Sequence, residues 1–279
     1  MRKKFIITCS ALVLLIAIAC LLSLNFGVVS ISPLEVLQTF LGNGGSKQEL
    51  VLFQIRLPSI VLAILIGAGM AIAGAILQAI TNNELADPGI LGINSGAGLA
   101  VMLYIAFFQH LGNVYLLPLF AFTGALLTAA LIVLLSWKGG FQSIRLVLVG
   151  IGVNAGLSAL LIAFQLKMDP IDFMKAVVWL SGDLWATQWK YVWALLPWYI
   201  VLIPLALYKV KSLNVLALGS SISTGLGIAV SREKLILLFI AVAFAGLGVS
   251  CGGGIAFLGL IAPHIARRLV GAKHGYMLP

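Results

Sequence analysis

Long apolar runs alternate along this chain with short polar breaks. The clearest run covers residues 60–80 and is interrupted only by Gln78. A helix of about 20 residues crosses a hydrocarbon core of about 30 Å, so this run predicts a membrane-spanning helix. The same pattern predicts further helices over 5–26, 93–108, 115–137, 145–166, 191–208, 235–249 and 255–270, and the clearest run extends to 57–80. That makes eight spans. Residues 27–54 read as a polar connection, with Ser32-Pro33, Gly42 and Gly44-Gly45 as turn residues. Asp169-Pro170 stops the fifth helix. Residues 171–180 are too short to span and carry Asp172 and Lys175, which predicts a short interfacial or re-entrant helix. Trp179, Trp185, Trp189, Tyr191 and Trp193 follow, an aromatic cluster of the kind that sits at a membrane surface. A short polar turn over 109–113, ending at Asn113, precedes the fourth span.

Composition removes the alternatives. Hydrophobic residues make up 62% of the chain and charged ones 9%, far from the balance of a soluble domain. The apolar runs are continuous rather than alternating, which excludes a β-barrel. The fold class is therefore all-α, a polytopic transmembrane bundle forming a single domain over 1–279. The run after Met1-Arg2-Lys3-Lys4 outlasts a signal-peptide core and continues past Cys20, so it reads as an uncleaved first helix.

Charge then orients the chain. With the N-terminus inside, the inner segments 1–4, 81–92, 138–145, 209–234 and 267–279 hold twelve Lys and Arg residues, and the outer segments hold five. The positive-inside rule favours that orientation and accounts for the net charge of +9 without nucleic acid as a partner. Cys9, Cys20 and Cys251 lie far apart in or beside apolar runs, with neither metal spacing nor a disulfide framework.

Around the clearest run, Gly67, Ala71 and Ala75 fall four apart, a small-residue stripe that lets a second backbone approach. A polar loop from Thr81 to Asp87 follows, then Pro88, Gly89 and Gly92. Residues 67–76 also echo 246–255 in their small residues, as an inverted repeat would.

This stretch resembles the FecCD-type permeases, the membrane subunits of importers for iron–siderophores, haem and vitamin B12. The resemblance rests on Arg56-Leu57-Pro58-Ser59, Gln78, and the run from Asn83 to Ala97, NELADPGILGINSGA. Ser59 stands where the family has a second arginine, and Glu84 where it has proline. Two further signatures agree. Leu213-Asn214, Leu216, Leu218-Gly219 and Leu226-Gly227 match a pattern near LNxLxLG…LG, with Ser223 and Thr224 departing from it. Gly254 to Gly271, with Lys273-His274 and Leu278-Pro279, matches a PH-containing C-terminal signature. The match covers residues 30–279; family members continue for a further pair of helices, so an inverted second half would be incomplete here.

Read without the family, 209–234 is too short and glycine-rich to span, and lacks a phosphate-loop pattern. It predicts two short amphipathic helices at the inner surface. His264, lacking a ligand-type partner one turn away, reads as packing or bonding to carbonyls freed by Pro263 rather than as a metal ligand. The eight carboxylates form no catalytic set, and no metalloprotease, hydrolase-elbow or kinase motif occurs, so the chain is not expected to be an enzyme or to hold a cofactor. Span interiors almost free of charge argue against an ion-coupled carrier acting alone, the reading from another class.

The resemblance implies the rest. The chain would be a permease subunit of an ATP-binding-cassette importer for a ferric siderophore, with haem or vitamin B12 as alternatives within the family. Two copies of a separate ATPase would power it. A second permease, identical or paralogous, would complete the pathway in the cytoplasmic membrane of a bacterium, and an extracytoplasmic substrate-binding lipoprotein would dock outside at Arg56. Leu213, Leu216, Leu218, Gly219, Gly225, Leu226 and Gly227 would form the coupling contact. Asn83, Leu85, Gln142 and Ser143 would form the inner gate. Gly150, Gly152, Ala155 and Gly156 would line the path.

Overall fold

The computed structural model describes residues 2–26, 29–112, 115–184 and 187–279; Asn113 and Trp185 lie outside them. Helices joined by short loops make up those residues, with no strand among them. In order, the α-helices are α1 (Arg2–Asn25), α2 (Pro33–Phe40), α3 (Ser46–Glu49), α4 (Leu57–Thr81), α5 (Ile93–Phe107), α6 (Leu116–Ser136), α7 (Ser143–Gln165), α8 (Pro170–Leu180), α9 (Trp189–Tyr208), α10 (Val210–Leu216), α11 (Ser220–Gly225), α12 (Val230–Gly252), α13 (Leu258–Val270) and α14 (His274–Met277). A π-helical stretch, Leu50–Arg56, joins α3 to α4, so helix runs unbroken over Ser46–Thr81.

Six of these helices are long and apolar enough to cross a membrane. Two predicted spans are shorter. α5 has 15 residues and α13 has 13, so at 1.5 Å per residue each falls short of a 30 Å core. α12 begins at Val230 rather than Leu235, which brings Lys234 into a spanning helix.

The chain divides into two compact units, 1–65 with 184–198 and 66–183 with 199–279. In the first, Leu24, Ile31, Val36 and Leu52 form a core with Val51, Phe53, Leu57 and Ile60 packed on it. The predicted polar connection is here largely helix. Ser32 caps α2 through a reciprocal box: its Oγ accepts from the Glu35 N–H at 3.3 Å, and its own N–H donates to the Glu35 carboxylate at 2.8 Å. The Ser32 N–H, helped by the Ser32 hydroxyl, holds the Glu35 carboxyl below its usual range. The π-helical stretch precedes Pro58, whose ring would clash with the carbonyl four residues back in a regular helix. The Phe53 carbonyl, five residues before Pro58 and so denied a π-helical bond by its missing N–H, accepts from Trp189 Nε1 at 2.7 Å.

In the second unit α12 is the most enclosed helix; nearly every residue from Leu237 to Ser250 is buried. α6 and α5 pack on it and on each other, and α7 packs on both. Small residues set these distances, because lipid supplies no hydrophobic drive for helix pairing. A Cβ on Gly96 would lie 2.7 Å from Thr128 Cβ, and one on Gly124 would lie 2.6 Å from Ala100 Cβ. The echo between 67–76 and 246–255 falls on packed neighbours: Gly248 and Gly252 lie against Ile66 and Met70. The predicted stripe on α4 makes its close contact at Gly74, in line with Gly67 after two turns; a Cβ on Gly67 itself would meet nothing. Leu127 and Leu134 are more than 70% exposed, which in lipid carries no penalty.

Candidate functional site

The loop after α4 is held by its own polar residues. Asn82 takes a left-handed φ of +51°, a conformation asparagine tolerates. Asn83 Oδ1 accepts from the Leu85 N–H at 3.0 Å, closing a turn that leaves Leu85 exposed. Asp87 caps the next turn, Pro88–Leu91, by accepting from the Gly89 N–H at 2.7 Å. Its carboxyl is pushed up by burial, against the pull of backbone N–H groups of Gly89 and Leu260. Leu260 lies in the first turn of α13, so Asp87 also faces that helix's positive end. Behind the loop a cavity of about 20 Å³, lined by Leu77, Thr81, Asn83, Asp87 and Val147 among others, has room for one water. Residues 86–88 are buried and form a wall, while 82–85 are exposed.

α13 clasps this wall. A Cβ on Gly74 would sit 2.5 Å from the carbonyl carbon of Gly259 and 2.7 Å from its Cα. Gln78 Nε2 donates to the Leu260 carbonyl at 3.3 Å, and Arg267 reaches Gln78 Oε1 at 3.4 Å. Arg267 also pairs with Glu84, which puts the unexpected carboxylate opposite a cation of the C-terminal signature. The Glu84 side chain is exposed, so this pair adds little stability.

Of the four predicted gate residues, two are engaged and two are free. Ser143 Oγ donates to the Ile80 carbonyl at 2.8 Å and accepts from Lys234 Nζ at 2.9 Å. Asn83 is used in its turn. Leu85 and Gln142 are exposed, and Gln142 makes no capping bond.

The 209–234 segment holds the two short helices expected of it, α10 and α11, but the predicted contact residues divide. Leu213 and Leu216 are fully buried and fix α10 in place. Ser223 is buried beside them, its Oγ bonding the Val215 carbonyl at 2.9 Å and the Gly219 carbonyl at 2.8 Å. Leu218, Ile222 and Leu226, spaced four apart, are each more than half exposed. Gly219 and Gly227 have φ of +99° and +83°, which favours glycine, and with Gly225 they have open space around them. The outward face is thus Leu218, Gly225 and Leu226 with Ile222; Leu213 and Leu216 belong inside.

The predicted path residues also divide. At 100° per residue Gly150 lies opposite Gly152, Ala155 and Gly156 on α7. Gly150 is buried in the chain; the other three are exposed, with nothing near a Cβ on Gly152 or Gly156. Beside this open face Ser95 Oγ donates to Asn154 Oδ1 at 2.7 Å and lies 3.3 Å from Ser158 Oγ.

Arg56 departs most from expectation. It is 8% exposed, and its guanidinium donates to the Leu24 and Val29 carbonyls. It ties the end of α1 to the following loop and is not presented to a partner. Ser59 Oγ is likewise turned inward, at 2.9 Å from the Leu184 carbonyl and against Thr187.

The profile of the FecCD transport family matches residues 14–279. The chain belongs to the FecCD transport family. Its FecCD relatives include the iron(3+)-hydroxamate import system permease protein FhuG of Bacillus subtilis, 53% identical over 99% of this chain and 84% of that protein. The iron-uptake system permease protein FeuC of the same organism is 42% identical over the whole chain and 84% of its own length. The Fe(3+) dicitrate transport system permease protein FecD of Escherichia coli is 37% identical over 96% of this chain. Among solved structures, a metal-chelate type ABC transporter in an inward-facing conformation superposes with a TM-score of 0.83 at 29% identity, covering all of this chain and 85% of that one.

Two histidines of the C-terminal FecCD signature separate. His264 is exposed rather than packed. His274, which the motif reading left without a role, is 3% exposed. Its backbone N–H donates to Asn214 Oδ1 at 2.9 Å, and its Nδ1 lies 3.0 Å from the same oxygen. Burial, aided by the Arg267 charge, lowers its pKa to about 4, so the ring is neutral near pH 7 and Nδ1–H can donate. α14 is thereby fastened to α10. Lys234 lies outside the apolar run that starts at Leu235, and only the start of α12 at Val230 brings it into the helix.

Proposed function

We propose that the chain is the permease subunit of an ABC importer that carries a ferric siderophore, of hydroxamate type first, across the bacterial cytoplasmic membrane. The α10–α11 unit carries this reading. Leu213, Leu216 and Ser223 make it stiff, while Leu218, Ile222 and Leu226 form an apolar outward ridge without a nucleotide motif. A stiff ridge beside charged surface suits a groove on another protein, here the ATPase. The permease names of FhuG and FeuC support iron chelates as cargo. The charge asymmetry supports an inner N-terminus, which puts the ridge and the loop after α4 on the cytoplasmic side.

A second permease would lie against the open α7 face of Gly152, Ala155 and Gly156, and chelate would pass between the two. Small, apolar walls bind a bulky cargo weakly, so it can leave. ATP binding by the partner would move the ridge and bias the loop wall, which requires contacts that differ between the two states. The lipoprotein would dock on the outer face through residues other than the buried Arg56.

Leu226→Glu tests the reading, since Leu226 is exposed and its backbone is unstrained. A charge at position 227 would confound the result, because Gly227 has a positive φ. Tagged Leu226→Glu chain should reach the membrane at normal level yet pull down at least about tenfold less ATPase, a loss typical of a charge placed in an apolar contact. Normal pull-down removes the ridge from the ATPase contact.

A further inference from the structure

Residues 233 and 234, adjacent near the start of α12, hold opposite partners. Glu233 receives Lys209 Nζ on both carboxylate oxygens at 2.9 Å. Lys209 is the N-cap of α10, so this pair ties α12 to the coupling segment, and both side chains are largely sheltered. Lys234 is 2% exposed and donates to Ser143 Oγ at 2.9 Å. Ser143 opens α7 and passes a hydrogen bond to the Ile80 carbonyl at 2.8 Å, in the last turn of α4. Among the described residues no carboxylate pairs with Lys234; the Phe141 ring lies 5.5 Å from its Nζ.

We propose that the start of α12 is the joint that passes movement of the coupling segment to the gate: Glu233 takes it up from Lys209, and Lys234 delivers it through Ser143 to the end of α4. The inference rests on the ATPase-driven reading above. A buried ammonium with a single neutral acceptor is an expensive way to fill space, and an apolar side chain would pack there at less cost. What the ammonium adds is a directional hold on the negative, C-terminal end of α4, just before the loop of Asn83 and Leu85. Because Glu233 and Lys234 share one helical turn, a shift of α10 that pulls Glu233 turns Lys234 away from Ser143. The contact is short and breakable, as a two-state element must be. Glu233, Lys234 and Ser143 act in this link as positioning residues.

The test uses the tagged chain co-purified from its own membranes with its companion subunits, measuring ATP hydrolysis in nanodiscs and siderophore-iron uptake in the matching cells. Glu233→Gln and Ser143→Ala should keep the ATPase bound and hydrolysis within about twofold, while uptake per ATP falls about tenfold, the size of an ordinary coupling energy. The double variant should be no worse than either single one, because both cut the same link. Ser143→Thr, which keeps the hydroxyl, should restore the ratio. A merely structural role lowers hydrolysis and uptake together and leaves the ratio unchanged, which overturns the proposal, as do losses that multiply in the double variant. A wild-type chain that brings down no ATPase overturns the ATPase-driven reading itself, and this inference with it.

Discussion

Gly74→Leu should reach the membrane and carry no cargo. The Cβ of any residue at 74 falls on the backbone of Gly259, 2.5 Å from its carbonyl carbon, and no rotamer relieves a clash with main chain. α4 and α13 must separate, and with them go the Gln78 bond to Leu260, the Arg267 contacts, and the seat of Asp87 at the start of α13. Overpacking costs about 1–3 kcal/mol, and a clash with main chain lies at the upper end of that range. Siderophore-iron uptake should fall to the level of a strain without the protein, and the thermal midpoint of the purified chain should drop by several degrees. Gly67→Leu is the control, since its Cβ would meet nothing and should leave the midpoint unchanged. Near-normal uptake by Gly74→Leu would show that α13 does not hold the loop wall.

Arg56→Met should loosen the first unit. The substitution keeps a long apolar stem but removes both hydrogen bonds to the Leu24 and Val29 carbonyls. Hydrogen bonds to a charged group are worth about 1.5–3 kcal/mol each, and the carbonyls left behind stay sheltered. Amide exchange over residues 24–26 and 29–31 should accelerate about a hundredfold, the equivalent of roughly 3 kcal/mol, while exchange in α12 stays as it was. Any weakening of lipoprotein docking should then be insensitive to salt, because no exposed charge was lost. Unchanged exchange with a salt-dependent loss of docking would return Arg56 to the outer face.

Hydropathy made the bundle legible, and the signature motifs made the loops legible. Neither says which side of a helix meets lipid and which meets protein. That is why Gly150 was grouped with Gly152, Ala155 and Gly156, although the helical repeat puts it on the other side. It is also why Leu213 and Leu216 were given to a partner when they are packed inside. The start of α2 was readable: Ser32-Pro33 followed by Glu35 is a helix-start pattern, which the reading of this stretch as a polar connection passes over. Arg56 and Lys234 were misread for one reason. A lone cation beside an apolar run looks like a surface anchor until its acceptors are seen, and those acceptors are carbonyl or hydroxyl groups distant in sequence.

The central claim is that this chain conducts but does not drive. The direct measurement is ferric-hydroxamate accumulation in sealed proteoliposomes, with the chain either alone or co-reconstituted with its companion permease, ATPase and binding protein. The complete assembly should concentrate the chelate only when ATP is supplied on the ATPase side, and the chain alone should concentrate nothing under a proton or sodium gradient. Uphill accumulation by the chain alone on such a gradient would contradict the account.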